Sequence, residues 1–387
     1  MRLDNVRVLD LSRLLPGPYA THLLAEAGAD VIKIEDTEMG DYARHTPPMT
    51  DEGFGLIYDA INRGKRSISL DLSSERGREV FFDLVEDADI VFEQFRPGVV
   101  ERLGVDYETV RESNPEIVYC SLSGYGQNGP YRDRVGHDLN YAATAGLLDM
   151  TRRNRDEKPQ IPGVPVGDMS GGLFAAFSMV SAVASRELGG TGGEYIDVSM
   201  TDAIVSFSQA LVPEVLAGRD VAPGETRLTG KYPCYGVYKT ADRQYVTLAA
   251  LEPRFWEEFC ERVGREDLVD RHMAESADER AAVREAVEAI FAEKTCDEWE
   301  AEIGGEETMF ATVNTVSEAL EDPQIEAREL VVEDGAPRVG SPVRGSEGVP
   351  GTEGPAPEHG EHTDDVLREA GYTDDELTRL WDDGIIR

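Results

Sequence analysis

Short apolar runs alternate with amphipathic segments along the first third of the chain. Between the apolar runs, the segments at 19–27 and 79–85 have the residue spacing of helices with one buried face. The alternation predicts an α/β fold with a doubly wound parallel sheet, in which ligands bind beyond the carboxyl ends of the strands. The predicted strands lie at 6–11, 31–35, 67–72, 90–93 and 117–122.

A different pattern begins near residue 225. Two alternating runs at 236–240 and 244–250 flank a polar turn and predict a hairpin, and charged helical segments follow it up to residue 303. Residues rich in Gly, Pro and Glu then predict an irregular connector. The predicted organisation is a large α/β domain at 1–215, a smaller α+β domain at 225–330 and a connector at 331–361.

The charge of the chain restricts its partners. The 387 residues include 76 acidic and 38 basic side chains, which gives a formal net charge of −38. Such a surface repels nucleic acids and anionic lipids, so we expect neither a nucleic acid nor a membrane as a partner. The acidic residues are spread along the whole chain, which favours a protein adapted to high intracellular salt, where repulsion is screened.

Cysteine usage and the N-terminal residues point to a cytoplasmic protein. The four cysteines are widely spaced without a CxxC pair, as in reduced cytosolic proteins, and no tight cluster of metal ligands is present. The first residues lack the apolar region of a signal peptide. No apolar run in the sequence reaches the length that we expect of a membrane span.

Two titratable residues stand out because each lies among glycines. His137 occurs in Gly-His-Asp-Leu-Asn-Tyr, and Asp168 occurs in Val-Gly-Asp-Met-Ser-Gly-Gly. Two opposed bases are what proton transfer between the two faces of one carbon requires. The apolar helix predicted at 171–187 begins after Asp168, so this carboxylate is either a simple helix cap or a catalyst beside free backbone N–H groups at 168–171. A third residue, Glu252, is a candidate for orienting the imidazole.

Several motifs resemble those of the family III CoA-transferases, the CaiB/BaiF family. The resemblance extends over nearly the whole chain in the same order. Its motifs are Gly-Ala-Asp-Val-Ile-Lys-Ile-Glu (28–35), Asn-Arg-Gly-Lys-Arg-Ser-Ile-Ser-Leu-Asp-Leu (62–72), Phe-Glu-Gln-Phe-Arg-Pro-Gly-Val (92–99), Ser-Leu-Ser-Gly-Tyr-Gly-Gln-Asn-Gly-Pro (121–130) and Gly-Glu-His-Thr (360–363).

The resemblance implies an acyl-CoA enzyme with a Rossmann-like large domain, a small domain and an interlocked homodimer. It also implies that the C-terminal residues 335–387 complete the large domain. The substrate would be a CoA thioester lying between the large domain of one subunit and the small domain of the other. No cofactor beyond the CoA moiety of the substrate is expected.

Two chemistries compete within that family. In its α-methylacyl-CoA racemases a histidine and an aspartate exchange the α-proton, and these positions resemble His137 and Asp168, with Glu252 in the place of the supporting glutamate and Asp138 beside Asp168. The transferases instead use the same aspartate as a nucleophile. The three racemase-type positions favour the racemase, the CoA-transferase is the alternative, and a non-catalytic CoA-binding protein is the third interpretation.

The resemblance also implies which segments hold the CoA. Many family members have an arginine after the second strand for the adenine end, but Asp36 occupies that position here. Four basic residues are therefore the candidates for the phosphates, namely Arg44, Lys65, Arg66 and Arg96. The other candidate CoA-binding residues in the quoted motifs are Asn62, Leu70, Gln94 and Phe95.

Overall fold

The computed structural model describes residues 2–51, 53–190, 192–305, 307–333, 337–346, 348, 351–352 and 354–387. The strands are β1 (Arg7–Asp10), β2 (Asp30–Glu35), β3 (Arg66–Ser69), β4 (Ile90–Glu93), β5 (Val118–Ser123), β6 (Glu194–Ser199), β7 (Tyr235–Lys239), β8 (Tyr245–Ala249), β9 (Phe310–Thr312), β10 (Val331–Val332) and β11 (Arg338–Val339).

The helices differ widely in length, from single turns to the 22 residues of α8. They are α1 (Pro16–Glu26), α2 (Leu56–Asn62), α3 (Glu75–Val85), α4 (Val99–Leu103), α5 (Tyr107–Ser113), α6 (Asp138–Thr144), α7 (Leu147–Met150), α8 (Val166–Glu187), α9 (Met200–Phe207), α10 (Val212–Leu216), α11 (Pro253–Arg262), α12 (Ala277–Phe291), α13 (Cys296–Trp299), α14 (Val316–Leu320), α15 (Pro323–Ala327), α16 (Thr363–Glu369) and α17 (Asp374–Asp382).

The main sheet has six parallel strands in the order β3-β2-β1-β4-β5-β6. The predicted mixed α/β fold with a parallel sheet is therefore confirmed, and the five predicted strands are all present. The sixth strand, β6, was not predicted. Strands β2 and β3 lie on one side of β1, and strands β4, β5 and β6 lie on the other side. The strand order therefore reverses between β1 and β4. Ligands of doubly wound sheets bind beside such a reversal, at the carboxyl ends of the strands.

Both ends of the chain contribute to the core around this sheet. Buried residues of the strands, such as Leu9 and Ile32, belong to the same cluster as Leu367, Leu380 and Ile386 near the C-terminus. The backbone also connects them, since the N–H of Asp71 donates to the carbonyl of Ile385 at 2.9 Å. The C-terminal helices α16 and α17 therefore complete the unit that the N-terminal strands begin.

The chain divides into two compact units. The first contains Met1–Ala145, Gly163–Ser208 and Glu326–Arg387, and the second contains Gly146–Pro162 and Gln209–Ile325. Residues 146–162 thus belong to the second unit, whereas the sequence placed them in the large domain. The predicted connector at 331–361 includes the short antiparallel pair β10–β11, and part of it lies outside the described residues.

The second unit contains the antiparallel sheet β7-β8-β9. The predicted hairpin corresponds to β7 and β8, while β9 was not predicted. An aromatic cluster fills its core, with the ring of Phe291 5.3 Å from that of Tyr238 and 5.6 Å from that of Phe259. Two tryptophans, Trp256 and Trp299, are buried in the same cluster.

Helix α8 is the longest helix of the described chain. Contrary to the expectation from the sequence, it is long and apolar enough to pass a length-and-composition test for a membrane span. Half of its most apolar 18-residue window is buried inside the protein. At Gly172 it approaches α1 so closely that a Cβ atom would lie 2.5 Å from the carbonyl oxygen of Pro16. The buried half of α8 therefore packs within the first unit.

Candidate active site

Asp168 lies in the first turn of α8, as the third residue of the helix. The sequence placed the start of this helix after Asp168, and the structure corrects that start to Val166. The difference arises because the usual signal for a helix start, a capping side chain just before the first turn, is missing: Pro165 occupies the cap position without a side-chain hydrogen bond. Asp168 is therefore not the cap of its own helix.

Asp138 supplies the missing cap from another part of the chain. Its Oδ1 atom accepts the backbone N–H groups of Gly167 at 2.5 Å and of Asp168 at 3.2 Å. These are two of the N–H groups that the first turn of a helix leaves without an internal partner. The structure thereby brings the carboxylates of Asp138 and Asp168 together at the beginning of α8.

The Asp168 carboxyl group is held in an unusual electrostatic environment. Burial first, and the carboxylate of Asp138 second, raise the pKa of Asp168 to about 7. No ion pair with Asp168 occurs among the described residues, so no cation offsets these two effects. A carboxyl group that changes its charge near neutral pH can accept or donate a proton under mild conditions, and such groups are enriched at catalytic sites.

His137 lies at the N-cap position of α6, directly before Asp138. Its backbone N–H donates to Oδ1 of Asn140 at 3.0 Å, and its carbonyl accepts the N–H of Asn140 at 2.8 Å. The side chain of His137 is exposed. The backbone around the imidazole is thus fixed, and the same short segment carries Asp138, which bonds to the start of α8. The two residues predicted to act as bases therefore lie on segments that the structure ties together.

Tyr141 stabilises the segment that carries His137. Its hydroxyl donates to the carbonyl of Gly136 at 2.5 Å, which fixes the residue before His137. A Cβ atom at Gly124, just after β5, would lie 2.4 Å from the Tyr141 ring. Burial first, and then the nearby Asp168 carboxylate, raise the pKa of Tyr141 to about 12, so this hydroxyl stays protonated and remains a donor. The sequence did not single out Tyr141, although it is part of the Gly-His-Asp-Leu-Asn-Tyr motif.

Glu252 lies in the second unit, at the N-cap position of α11 and shortly after β8. Its side chain is exposed and makes no side-chain capping hydrogen bond. The role predicted for it, to orient His137, stays a prediction.

Two of the predicted oxyanion donors at 168–171 already have hydrogen-bond partners inside the protein. The N–H of Asp168 is bound to Asp138, and the N–H of Met169 donates to the carbonyl of Pro165 at 3.0 Å. These two groups are already satisfied within the protein, so we assign no substrate oxygen to them.

Three of the basic residues predicted to hold phosphates are instead paired inside the fold. The guanidinium of Arg44 forms two hydrogen bonds with Glu35, at 2.8 and 2.6 Å, and that of Arg66 pairs with Asp30 and Glu369. The ammonium of Lys65 is fully buried. It donates to the carbonyl of Pro18 and to the side chains of Thr21 and Asn62 at 2.8–2.9 Å. The predicted phosphate role does not agree with these contacts.

The other predicted CoA-binding residues have different positions. Asn62 is buried and satisfied, since its amide also donates to the carbonyl of Tyr58 at 3.0 Å. The carbonyl oxygen of the Gln94 side chain accepts the N–H of Gly17 at 2.9 Å, which fixes the start of α1. Arg96 is exposed after β4, and its charge acts on Tyr141, which places it near the Asp168 site. Leu70 and Phe95 line a cavity in the first unit.

This cavity has a volume of about 460 Å³ and lies at the carboxyl ends of β1, β2, β3 and β4. That is the place where the strand order reverses, and the volume is within the range of about 300–1,000 Å³ that small-molecule sites occupy. Besides Leu70 and Phe95, it is lined by the segment that follows β1, including Arg13, and by Tyr42. The sequence pointed to the residues after the strand ends, but it did not single out Tyr42.

A buried charge network lies next to the cavity. The ammonium of Lys33 is 2.9 Å from Oδ2 of Asp41 and donates to the carbonyl of Ser12 at 2.7 Å. Burial alone would raise the pKa of Asp10, but the ammonium groups of Lys33 and Lys65 outweigh it and lower that pKa. Burial, opposed by the charge of Asp10, lowers the pKa of Lys65 to about 7. The network fixes the backbone that leads from β1 into the cavity.

Together, the fold and the site define a doubly wound α/β protein with a carboxyl group of raised pKa in the first turn of a helix. The family model of CoA-transferase family III matches residues 3–363. The chain belongs to this family, and the predicted resemblance is thereby confirmed at the level of the family.

Relatives with two different reactions are similar to this chain. The succinyl-CoA:mesaconate CoA-transferase of Haloarcula marismortui is 34% identical over 395 residues, which cover 95% of this chain and 96% of that protein. The α-methylacyl-CoA racemase of Mus musculus is 33% identical over 392 residues, covering 100% and 98%. A solved CaiB/BaiF family protein from Brucella suis has a TM-score of 0.83 at 29% identity, covering 95% of this chain and 98% of that chain. The protein is thus a family III acyl-CoA enzyme, and the relatives include both racemases and transferases.

Proposed function

We propose that this protein is a racemase or epimerase of 2-methylacyl-CoA thioesters. The observation that carries the proposal is the Asp168 carboxyl group, which has no cation partner among the described residues and a pKa raised to about 7. Such a group can take up a weakly acidic proton and return it at neutral pH. The exposed imidazole of His137 lies on the segment that Asp138 ties to the start of α8.

In this mechanism one base removes the α-proton of the thioester and leaves an enolate. The other base then protonates the α-carbon from the opposite face, which inverts its configuration. His137 and Asp168 exchange these two roles according to the epimer that is bound. Asp138 holds the first turn of α8 in place and, through its charge, keeps Asp168 basic enough to act. No cofactor beyond the CoA moiety of the substrate takes part.

The second candidate is a CoA-transferase that uses Asp168 as its nucleophile. Its carboxylate oxygen would attack the thioester carbonyl and the C–S bond would break, so that CoA leaves as the thiolate and an acyl–aspartyl anhydride is formed. The thiolate would then attack the aspartyl carbonyl, releasing the first carboxylate and forming an aspartyl-CoA thioester. An acceptor acid would take the CoA from it by the same steps in reverse. The 34% identity to a succinyl-CoA:mesaconate CoA-transferase supports this alternative.

One incubation distinguishes the two functions. A single epimer of a 2-methylacyl-CoA is kept with the enzyme in D₂O at high salt, without a free acid. A racemase incorporates deuterium at the α-carbon and produces the opposite epimer. If no exchange occurs, but CoA moves to an added carboxylic acid, the enzyme is a transferase. Transformation of neither kind with any acyl-CoA would favour a non-catalytic CoA-binding protein and refute both.

The His137→Ala variant sharpens this test. For a racemase, removing one of the two bases should lower the rate of epimerisation by about 10²–10⁴-fold. For a transferase the same variant should retain most of its activity, because the nucleophile is unchanged. The matched control is His45→Gln, which changes another exposed histidine and should leave the rate unaltered.

A further inference from the structure

A large groove lies entirely within the second unit and contains none of the candidate site residues described above. Its walls are strand β7, one face of helix α12 and the loop at 224–231, and residues of β8 continue it. The groove has a volume of about 1160 Å³. This exceeds the range of about 300–1,000 Å³ that small-molecule sites occupy, so the groove has room for a segment of polypeptide.

The free edge of a sheet faces this groove. Strand β7 is an outer strand of the sheet β7-β8-β9, and each of its five residues lines the groove. The N–H of Ala250 donates to the carbonyl of Cys234 at 2.8 Å, and the N–H of Thr240 donates to the carbonyl of Gln244 at 3.1 Å. Because such bonds alternate along an antiparallel pair, every second residue of β7, beginning with Tyr235, directs its backbone groups away from β8.

Two of these outward-facing residues, Val237 and Lys239, have backbone groups without a partner among the described residues. The N–H of Tyr235, by contrast, donates to the carbonyl of Tyr232 at 3.0 Å. The side chain of Val237 is 63% exposed, so no other part of the described chain covers the edge at this point. An exposed edge with unpaired N–H and C=O groups is a template for a further strand.

The groove is basic although the chain is acidic. Two acidic and five basic side chains line it, whereas the whole chain has 76 acidic and 38 basic residues. Among the described residues, none of the five basic side chains forms an ion pair. They are Arg153, Lys231, Lys239, Arg280 and Arg284. Positive charge is therefore concentrated along the edge of β7, and no ion pair within the described chain offsets it.

Two of these cations are held in place beside the groove. Arg280 and Arg284 lie one turn apart on α12, and both are half-buried. The guanidinium of Arg284 donates to the carbonyl of Gly230 at 2.7 Å, and that of Arg280 donates to the carbonyl of Glu275 at 2.5 Å. Because a guanidinium has five N–H donors, others remain for a ligand. Side chains that are already ordered lose little entropy when they bind.

We propose that this groove binds an acidic, extended segment of another protein, which pairs with the edge of β7 as an additional strand. The main chain of the segment would bond to the outward-facing groups of Val237 and Lys239, and its carboxylates would be attracted by the five cations. A basic strand is repelled from the same edge. A nucleic acid offers negative charge but no peptide groups for β7, and the net charge of −38 repels it from the rest of the protein.

The two faces of the sheet predict a pattern for the bound segment. The ring of Tyr238 packs 5.3 Å from that of Phe291 in α12, so this face of β7 is the one toward the arginines of the helix. Val237 lies on the opposite, exposed face. Since side chains alternate between the faces of a strand, acidic residues that turn toward α12 should alternate with apolar residues that lie beside Val237.

Binding of a defined peptide tests this proposal. The probe is a fluorescently labelled Glu-Val-Glu-Val-Glu-Val-Glu peptide, and its affinity for the intact protein is measured by fluorescence anisotropy at one fixed salt concentration. We expect the probe to bind, and the corresponding Lys-Val peptide to bind more weakly by about tenfold or more. Replacing the central valine of the probe by proline removes an N–H group needed for pairing and should have an effect of similar size.

Variants of the protein locate the bound peptide. Val237→Pro removes an N–H group that faces away from β8, so the β7–β8 pair is retained while the affinity for the probe should fall by about tenfold or more. The matched control is Val237→Thr, which keeps the N–H group and should bind within about threefold of the intact protein. An unchanged midpoint of thermal unfolding shows that the variants are folded.

A charge reversal tests the role of the cations. Lys239→Glu should weaken binding of the probe by about threefold to tenfold, because an exposed cation of the groove becomes an anion. Lys158→Glu makes the same change at an exposed position of the second unit outside the groove, and it should leave the affinity unaltered.

Each outcome decides for or against the proposal, and none of the measurements involves acyl-CoA. The proposal is wrong if the intact protein does not bind the acidic probe, or if it binds the Lys-Val peptide equally well. Equal binding by Val237→Pro would show that the probe does not pair with β7. If sedimentation shows that Val237→Pro changes the oligomeric state, the groove holds a second copy of this chain instead. Displacement of the probe by a single-stranded oligonucleotide as readily as by unlabelled peptide would show that the groove responds to charge alone.

Discussion

Two carboxyl groups at the ends of structural elements, one buried and one half-buried, illustrate opposite uses of charge in this fold. Asp10, at the end of β1, lies beside the ammonium groups of Lys33 and Lys65, and its pKa is lowered in spite of burial. Asp168, at the start of α8, has the carboxylate of Asp138 as its charged neighbour, and its pKa is raised to about 7. The first group is permanently charged at neutral pH, whereas the second changes its charge there.

The difference distinguishes a carboxylate that stabilises the fold from a carboxyl group that is suited to catalysis. Burying a charge is costly unless a partner offsets it, and at Asp10 the partners are provided. At Asp168 the protein provides another acid instead, which makes the charged form less stable. A group destabilised in this way is poorly suited to holding the fold together and well suited to taking up a proton or attacking a carbonyl. The comparison therefore predicts opposite consequences for changes in the two regions.

The largest effect is expected at Asp168. Asp168→Asn keeps the size of the side chain but can neither accept a proton nor attack a thioester. Activity on acyl-CoA should fall by about 10²–10⁴-fold whichever of the two reactions the enzyme performs. The measurement is the initial rate at saturating substrate. A rate within a few fold of that of the intact enzyme would remove Asp168 from the chemistry.

The stability of the same variant provides its control. The pKa of Asp168 is raised in the folded state, so ionisation costs the intact protein stability as the pH rises from about 4 to about 7, and the cost is constant above that range. Below pH 4 both states are protonated and no cost exists. Asp168→Asn should therefore be at least as stable as the intact protein above pH 7. A large loss of stability there would mean that lost activity reflects lost structure.

The opposite result is expected in the network around Asp10. Lys33→Met keeps the apolar stem of a fully buried side chain but removes the cation that pairs with Asp41 and one of the two that lower the pKa of Asp10. Breaking one partner out of a buried pair typically destabilises a protein by about 3–5 kcal/mol. Urea unfolding measures the effect. Lys239→Met, at an exposed position, should change the stability by less than about 0.5 kcal/mol. Equal stabilities of the two variants would contradict the structural role of the network.

A smaller effect is expected for Asp138→Asn. The asparagine oxygen can still accept the N–H groups of Gly167 and Asp168, but the like charge beside Asp168 is gone. The pKa of Asp168 should decrease and remain above its ordinary value, because burial, the larger cause, is unchanged. The rise of kcat/KM with increasing pH, which we expect near pH 7 for the intact enzyme, should move to lower pH. A shift toward higher pH would show that Asp138 does not act through its charge.

Glu93 carries a second carboxyl group whose titration has to be distinguished from that of Asp168 in the pH profile of kcat/KM. Burial is the main cause that raises the pKa of Glu93 to about 7, and its carboxylate accepts the N–H of Phe95 at 2.6 Å. Because Glu93 lies at the end of β4 and not beside Asp138, the shift produced by Asp138→Asn should persist in a Glu93→Gln background. If it disappears there, the titration belongs to Glu93.

The sequence predicted the parallel sheet well because apolar strands buried on both faces form continuous runs. It missed β6, where Tyr195 and Asp197 alternate with Ile196 and Val198 and the strand is half exposed. It also placed the start of α8 too late. The cap of that helix comes from Asp138, about 30 positions earlier in the chain, and a contact of this kind leaves no local pattern.

The candidate site residues also divide into those that local motifs predict and those that depend on contacts distant in sequence. Local motifs were sufficient to single out His137, Asp138 and Asp168 as candidates, because each lies in a short segment with glycines beside it. The phosphate-binding residues were not predictable by residue type alone. Arg66 pairs with Glu369, which is 303 positions away in sequence, so only the folded chain shows that this guanidinium is occupied.

The central claim is that the Asp168 carboxyl group ionises near neutral pH, and NMR tests it without reference to either reaction. Protein labelled with ¹³C at the aspartate side-chain carboxyls is titrated in the absence of substrate, and the Asp168 resonance is the one missing from Asp168→Asn. The account predicts a midpoint near pH 7 for this resonance. A midpoint near the ordinary value of 3.8 would show that burial and Asp138 do not hold this carboxyl in its protonated form, and would contradict the account.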